Sequence, residues 1–196
     1  MYVRIFNDMA QCTDESVRMM LPMVSEQRRA RALQYKFTFG QFACLKSYIM
    51  LVQILEDEHL VPNVGQPCVL NFGTEEHGKP YLIDFPNLHF SISHCRRAIA
   101  VAVDTKPIGV DVECFCEAER TLLERTMNVE EISLVRDAEC PDVTFAALWT
   151  KKEAVLKLRG TGIVDDLRKV LRGREIIYTE INKPLQYACS VAQFPQ

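Results

Sequence analysis

Ile108-Gly109-Val110-Asp111-Val112-Glu113 alternates between aliphatic residues and small or acidic ones, the period-two pattern of a half-buried β-strand. Read as a strand, it puts Ile108, Val110 and Val112 on one face and Asp111 and Glu113 on the other. The two carboxylates then sit about 6–7 Å apart along the chain. Neighbouring carboxylates repel each other and need a partner. A hard divalent cation satisfies both, and magnesium typically takes one or two carboxylates plus substrate phosphates. Taken alone, solvated acids on an exposed strand face are the simpler reading.

Outward from this strand the pattern divides in two. Toward the N-terminus, short apolar runs broken by Gly, Pro and Asn predict strands at residues 68–72, 81–83, 89–93 and 99–103. Before them, residues 3–6 read as a strand, Ser25 as the cap of a helix running to residue 35, and 39–57 as a longer helix. Beyond the acidic strand, helical patterns fill residues 117–159 and stop at Gly160-Thr161-Gly162; strands follow at 175–181 and 186–192. Helices then strands, twice over, predict an α+β chain of two lobes, 1–104 and 105–196, parting near 104–107. Asn182-Lys183-Pro184 echoes Gly78-Lys79-Pro80, too weakly to establish a repeat.

Composition narrows the function. At 196 residues the chain can bury a substantial core, and a net charge of −3 argues against a general nucleic-acid binder. Cationic clusters such as Arg28-Arg29-Ala30-Arg31 and Lys151-Lys152 still suit a small anion. The apolar stretches read as too short for a membrane span, and the opening MYVRIFNDMAQC lacks the core of a signal peptide. The eight cysteines include no Cys-x-x-Cys pair, only Cys114-x-Cys116. The expectation is reduced thiols in a cytoplasmic protein.

Three further segments bear chemistry. Phe145-Ala146-Ala147-Leu148-Trp149-Thr150-Lys151-Lys152-Glu153-Ala154-Val155-Leu156-Lys157 reads as a helix on which Glu153 and Lys157 share a face. A surface ion pair is the bland alternative. Yet Phe145 and Trp149 precede Glu153 at one-turn steps, so this carboxylate interrupts an apolar stripe, which is costly unless it is paired or metal-bound. The segment from Gly73 to Pro80 has P-loop spacing as far as Lys79, but Pro80 supplies neither the hydroxyl nor the N–H that motif requires. It reads instead as a turn at Gly78, with Lys79 either a surface lysine or a fixed cation for phosphate. In Phe90-Ser91-Ile92-Ser93-His94, alternation turns Phe90 and Ile92 inward and leaves the serines and His94 as possible donors to phosphate. Carboxylates and cations without an evident nucleophile suggest metal-assisted displacement at a phosphate.

In this order and spacing, these segments resemble the 4'-phosphopantetheinyl transferases of the longer, surfactin-synthetase-associated (Sfp) type, chiefly over residues 78–162. The resemblance implies two similar lobes related by a pseudo-twofold axis, coenzyme A between them, and magnesium on Asp111, Glu113 and Glu153. It implies Lys79, Pro80, Ser93 and His94 at the nucleotide's phosphates, Arg28 and Arg31 toward the 3'-phosphate, and Lys157 against the pyrophosphate. Glu153 and Lys157 become the catalytic pair. The implied partner is an apo acyl or peptidyl carrier protein, whose serine attacks the β-phosphate and expels 3',5'-ADP; two lobes in one chain suggest a monomer. Cys95-Arg96 after the Ser-His pair, and Ala43-Cys44 where many members carry an arginine, depart from the family pattern. A non-catalytic binding module of the same fold, and a magnesium-dependent phosphohydrolase, are the alternatives.

Overall fold

The computed structural model describes residues 1–62, 69–162 and 166–195. Its first half runs β1 (Tyr2–Phe6), α1 (Asp14–Met20), α2 (Glu26–Leu33), α3 (Thr38–Asp57), β2 (Phe72–Thr74), β3 (Pro80–Leu82), β4 (His89–His94) and β5 (Ile99–Asp104). The second half runs β6 (Ile108–Cys114), α4 (Arg120–Thr126), α5 (Val129–Arg136), α6 (Pro141–Arg159), β7 (Ile176–Asn182) and β8 (Tyr187–Gln193), with a 3-10 helix at Leu167–Arg172. β5 ends and β6 begins on either side of the expected boundary.

The chain is α+β, and each half repeats one topology: a strand, a long helix, then a hairpin whose last strand enters the middle of the sheet. The antiparallel orders are β1-β5-β4 and β6-β8-β7. The echo between Gly78-Lys79-Pro80 and Asn182-Lys183-Pro184 does not mark this repeat. The first lies in the β2–β3 hairpin and the second in the β7–β8 turn, whose topological counterpart is the β4–β5 turn.

Four layers result. α3 lies on the outer face of the first sheet, where Phe42, Leu45, Tyr48, Leu51 and Leu55 join Phe90, Ile99, Val101 and Val103 in the largest apolar cluster. Each fully buried large apolar side chain here is worth about 1.5–3 kcal/mol. The other face carries Ala100 and Ala102, small enough for the second sheet's Ile108, Val110, Val112, Cys189 and Val191 to approach. α6 covers the far side of that second sheet. By length and composition α3 could cross a membrane, with 20 residues and mean hydropathy 1.2, so the sequence reading understated its apolar run. Its buried residues place it as the central helix of the first core.

Local chemistry explains most element ends. The Ser25 hydroxyl accepts from Arg28 N (3.2 Å) and starts α2; such a cap is worth about 1 kcal/mol. α1, which the sequence reading missed, has the same device: the Thr13 hydroxyl accepts from Ser16 N (3.1 Å). Residues 117–159 divide into three helices because Asn128 caps α5 and forms a capping box with Glu131. α6 ends at Gly160, whose φ of +67° favours glycine. The strand expected at 68–72 instead begins at Phe72; Cys68 lies outside the described residues.

Gly109 sets the distance between α6 and β6. A β-carbon there would run into the carbonyl oxygen of Ala154 and the amide nitrogen of Leu158, both backbone atoms that cannot rotate away. Gly109→Ala should destabilise the protein by about 3 kcal/mol or more, the upper range for overpacking. Urea unfolding followed by circular dichroism checks this, with unchanged stability as the contrary result.

Candidate active site

The site grows from the edge of the second sheet. β6 is an edge strand there, and β4 runs beside it. The Val110 N–H, facing away from its own sheet, donates to the Ser91 hydroxyl (3.0 Å). One pair further on, the Ser93 hydroxyl donates to Asp111 Oδ1 (2.7 Å). The serines that alternation left facing outward are therefore buried, because the far face of β4 meets β6 rather than water. Ser93 presents its hydroxyl to Asp111 and lines neither of the pockets described below.

Asp111 is only 3% exposed. Its Oδ1 also accepts an ion pair from Lys157 Nζ on α6 (2.7 Å), so this lysine is held by the strand rather than by Glu153 one turn back on its own helix. Asp111 Oδ2 is buried without any hydrogen-bond partner, the one such side-chain atom among the described residues. An orphaned carboxylate oxygen typically costs about 1–3 kcal/mol or more.

Glu113 and Glu153 complete a negative cluster. Burial first, then the charge of Asp111, pushes the Glu113 carboxyl up to about 7; Glu153 adds to the rise and Lys157 opposes it. Glu153 is raised by burial and by Asp111, again against Lys157. Three acids around one ammonium are under-neutralised. Among the described residues, no three His, Cys, Asp or Glu side chains are gathered closely enough to complete a metal site by themselves. Magnesium ordinarily draws much of its coordination from water and substrate phosphates. The unpartnered Oδ2 and the mutual repulsion of the acids fit an ion bound in that way.

Two adjoining pockets sharing Pro80, Phe90 and Ile92 form a cleft beside these acids. One, about 300 Å³, is bounded by Lys79, Ser91, Glu153, Lys157 and Gly160. The other, about 230 Å³, is bounded by Arg28, Arg31, Tyr35, Phe72 and His94. Lys79 spans the halves of the chain: its ammonium donates to the Leu158 carbonyl near the end of α6 (3.1 Å), and burial lowers its pKa against the pull of Glu75. His94, edge-on to Phe39, is lowered by burial and then by Lys157.

Sequence reasoning named Arg28 but missed what holds it. The guanidinium lies 4.7 Å from the Tyr48 ring centre and 5.0 Å from that of Phe72, and Nη1 reaches Cys44 Sγ at 3.8 Å. Cys44 belongs to the Ala43-Cys44 pair that departs from the resembled pattern, and a guanidinium from α2 leans over this part of α3. In the sequence Lys152 reads, with Lys151, as a cationic cluster suited to a small anion. It is instead 1% exposed, bonded to Glu131 Oε2 (2.8 Å) and the Leu167 carbonyl (3.0 Å), and it anchors α6 to α5 and the 3-10 helix.

Comparison with known proteins bears on the family rather than on this geometry. A model of the 4'-phosphopantetheinyl transferase superfamily matches residues 107–190. The 4'-phosphopantetheinyl transferase psf-1 of Bacillus pumilus is 30% identical over 151 residues, covering 76% of this chain and 63% of that protein. A 4'-phosphopantetheinyl transferase of Bacillus subtilis is 39% identical over 100 residues, 50% of this chain and 44% of its own length. The 4'-phosphopantetheinyl transferase Sfp of Bacillus subtilis strain 168 is 26% identical over 161 residues, covering 81% of this chain and 70% of its own. The chain thus spans less than two thirds of the first two relatives.

The Glu113 shift has a testable consequence without metal. Between about pH 4.5 and 7 the folded protein keeps a proton that the unfolded chain releases, so this group's contribution to stability falls as pH rises through that window. With chelator present, Glu113→Gln should match the parent near pH 4 and exceed it at pH 8. The expected gain is about 1 kcal/mol once partial exposure is discounted. Denaturant unfolding at both pH values reads this out; a difference that does not change with pH contradicts the assignment.

Proposed function

The chain belongs to the 4'-phosphopantetheinyl transferase superfamily, and from that premise we propose that it moves the 4'-phosphopantetheine arm of coenzyme A onto a serine of an apo acyl or peptidyl carrier protein, releasing 3',5'-ADP. The observation that carries this reading is the buried Asp111 carboxylate, half engaged by Lys157 and Ser93 and half unpartnered, beside a cleft with cations along it.

In this reading the nucleotide lies along the cleft. Arg28, pre-oriented by Tyr48 and Phe72, and Arg31 face the 3'-phosphate; Lys79, against Pro80, and His94 face the other phosphates. Lys79 then exchanges the Leu158 carbonyl for a phosphate oxygen. Its lowered pKa reflects incomplete solvation that an anion relieves. His94 is largely neutral at pH 7 and serves as an N–H donor. Ser93 fixes the Asp111 carboxylate, and Lys157 offers positive charge where charge develops on the leaving phosphate.

Asp111, Glu113 and Glu153 are the residues that would hold magnesium. When bound, the ion neutralises pyrophosphate charge and polarises the phosphorus under attack. Glu153 accepts the carrier serine's proton. An ordinary glutamate is a weak base for this task, and the upward shift from burial and Asp111 brings it nearer the working pH. We extend the reading to two lobes, 1–104 and 105–196, in a cytoplasmic monomer. Both walls of the cleft come from one chain, and the seven described cysteines are free thiols.

Intact-mass spectrometry of apo carrier proteins incubated with this protein, coenzyme A and magnesium tests the proposal. The expected result is a gain of one phosphopantetheine that chelator abolishes. Asp111→Asn and Glu153→Gln should each slow the gain at least about a hundredfold while leaving the circular dichroism spectrum intact. Normal turnover by either variant sinks the assignment of these carboxylates.

A further inference from the structure

The two serines of β4 share a face and both reach β6, yet they use their hydroxyls in opposite ways. Ser93 gives its proton to Asp111 Oδ1 (2.7 Å). Ser91 accepts instead: its oxygen takes the Val110 N–H from the edge of β6 (3.0 Å). A serine hydroxyl carries one proton besides its lone pairs. Among the described residues, no side chain or backbone oxygen accepts the Ser91 proton. Ser91 is only 6% exposed, so a donor left without an acceptor there is costly.

Ser91 also belongs to the wall of the pocket of about 300 Å³, with Lys79, Glu153 and Lys157. Both of those ammoniums are tied to protein oxygens, the Leu158 carbonyl and Asp111. Ser91 is tied through its oxygen alone. We propose that Ser91 is a further substrate-binding residue, its hydroxyl donating to a non-bridging oxygen of the β-phosphate of coenzyme A.

This assignment rests on the transferase reading. Two ammoniums in one small pocket select an anionic oxygen, and a hydroxyl bonded to such an oxygen forms the stronger, charge-assisted kind of hydrogen bond. In that reading Glu153 takes the proton of the serine attacking the β-phosphorus. Glu153 lines the same pocket as Ser91, which brings the β-phosphate here. The Val110 N–H contributes direction: it holds the Ser91 oxygen in place, so less rotamer freedom is lost on binding. Ser93, which the resemblance sets at the phosphates, spends its proton on Asp111 and lines neither pocket. The hydroxyl with a proton to give is two residues earlier. Holding β6 is by itself a reason for a serine at this position, so the two roles have to be separated by the ligand.

Calorimetric titration of the full chain with magnesium separates them, using three ligands on the parent and on Ser91→Ala. Coenzyme A carries the β-phosphate and the pantetheine arm. Adenosine 3'-phosphate 5'-diphosphate carries the β-phosphate without the arm, and 3',5'-ADP carries neither. Ser91→Ala should bind the first two about tenfold more weakly and 3',5'-ADP as the parent does. Should that variant fail to fold for want of the Val110 bond, Ser91→Cys carries the same comparison, since a thiol is close in size and a weak donor. Equal losses for all three ligands would confine Ser91 to holding β6. A loss for coenzyme A alone would put its acceptor in the pantetheine arm. Either result, or unchanged binding of all three, overturns the assignment while leaving the transferase reading standing. A parent that binds no coenzyme A overturns both.

Discussion

The carboxylate of Asp111 is the constraint on which the site depends. A buried acid with one oxygen shared by a hydroxyl and an ammonium, and the other unpartnered, persists only if the surrounding framework is rigid. Each supporting element traces back to it. Ser91 and Ser93 lock β4 against the edge of β6, so the two sheets meet where the acid emerges. Gly109, two residues before Asp111, lets α6 come close enough for Lys157 to reach across. The buried Lys152–Glu131 pair then holds the opposite flank of the same helix against α5. Removing one partner of such a pair typically costs about 3–5 kcal/mol, so the orientation of α6 is firmly set from both sides.

The electrostatics run against stability. Glu113 and Glu153 are raised by burial and by Asp111, with Lys157 as the opposing charge, so the acids are held together by packing despite mutual repulsion. Such an arrangement is typical of a functional site rather than of a structural ion pair. In the proposed function it would gain free energy when a cation arrives with a polyanion and satisfies what the protein leaves open. The cleft is lined by the cations Arg28, Arg31, Lys79 and Lys157, with Arg28 already oriented by two rings.

Much of the fold was legible because periodicity is local information. The acidic strand, the long helices and the β4–β5 hairpin all follow from apolar spacing and turn residues. What escaped depended on tertiary partners. Ser91 and Ser93 read as outward-facing because alternation describes one sheet and says nothing of a second sheet on its other side. Lys152 read only as part of a cationic cluster because its partner Glu131 lies on another helix, and a buried ion pair of that kind leaves no local pattern. The Lys79 contact is with a backbone carbonyl on α6, which leaves no trace in residue type. α1 was legible in principle, since Thr13-Asp14-Glu15-Ser16 is a helix-start signal followed by Val17 and Met20. The candidate acids were legible individually, but that Asp111 is the buried one with an unpartnered oxygen required the packing of β4 and α6 around it.

The central proposal is that Asp111 binds a divalent cation jointly with coenzyme A. Calorimetric titration of coenzyme A into the full chain, with magnesium or with chelator, in the parent and in Asp111→Asn, tests it most directly. The account predicts at least about tenfold tighter binding with magnesium for the parent, a difference of about 1.4 kcal/mol, and no magnesium effect for the variant. Equal affinities with and without magnesium in the parent would contradict it.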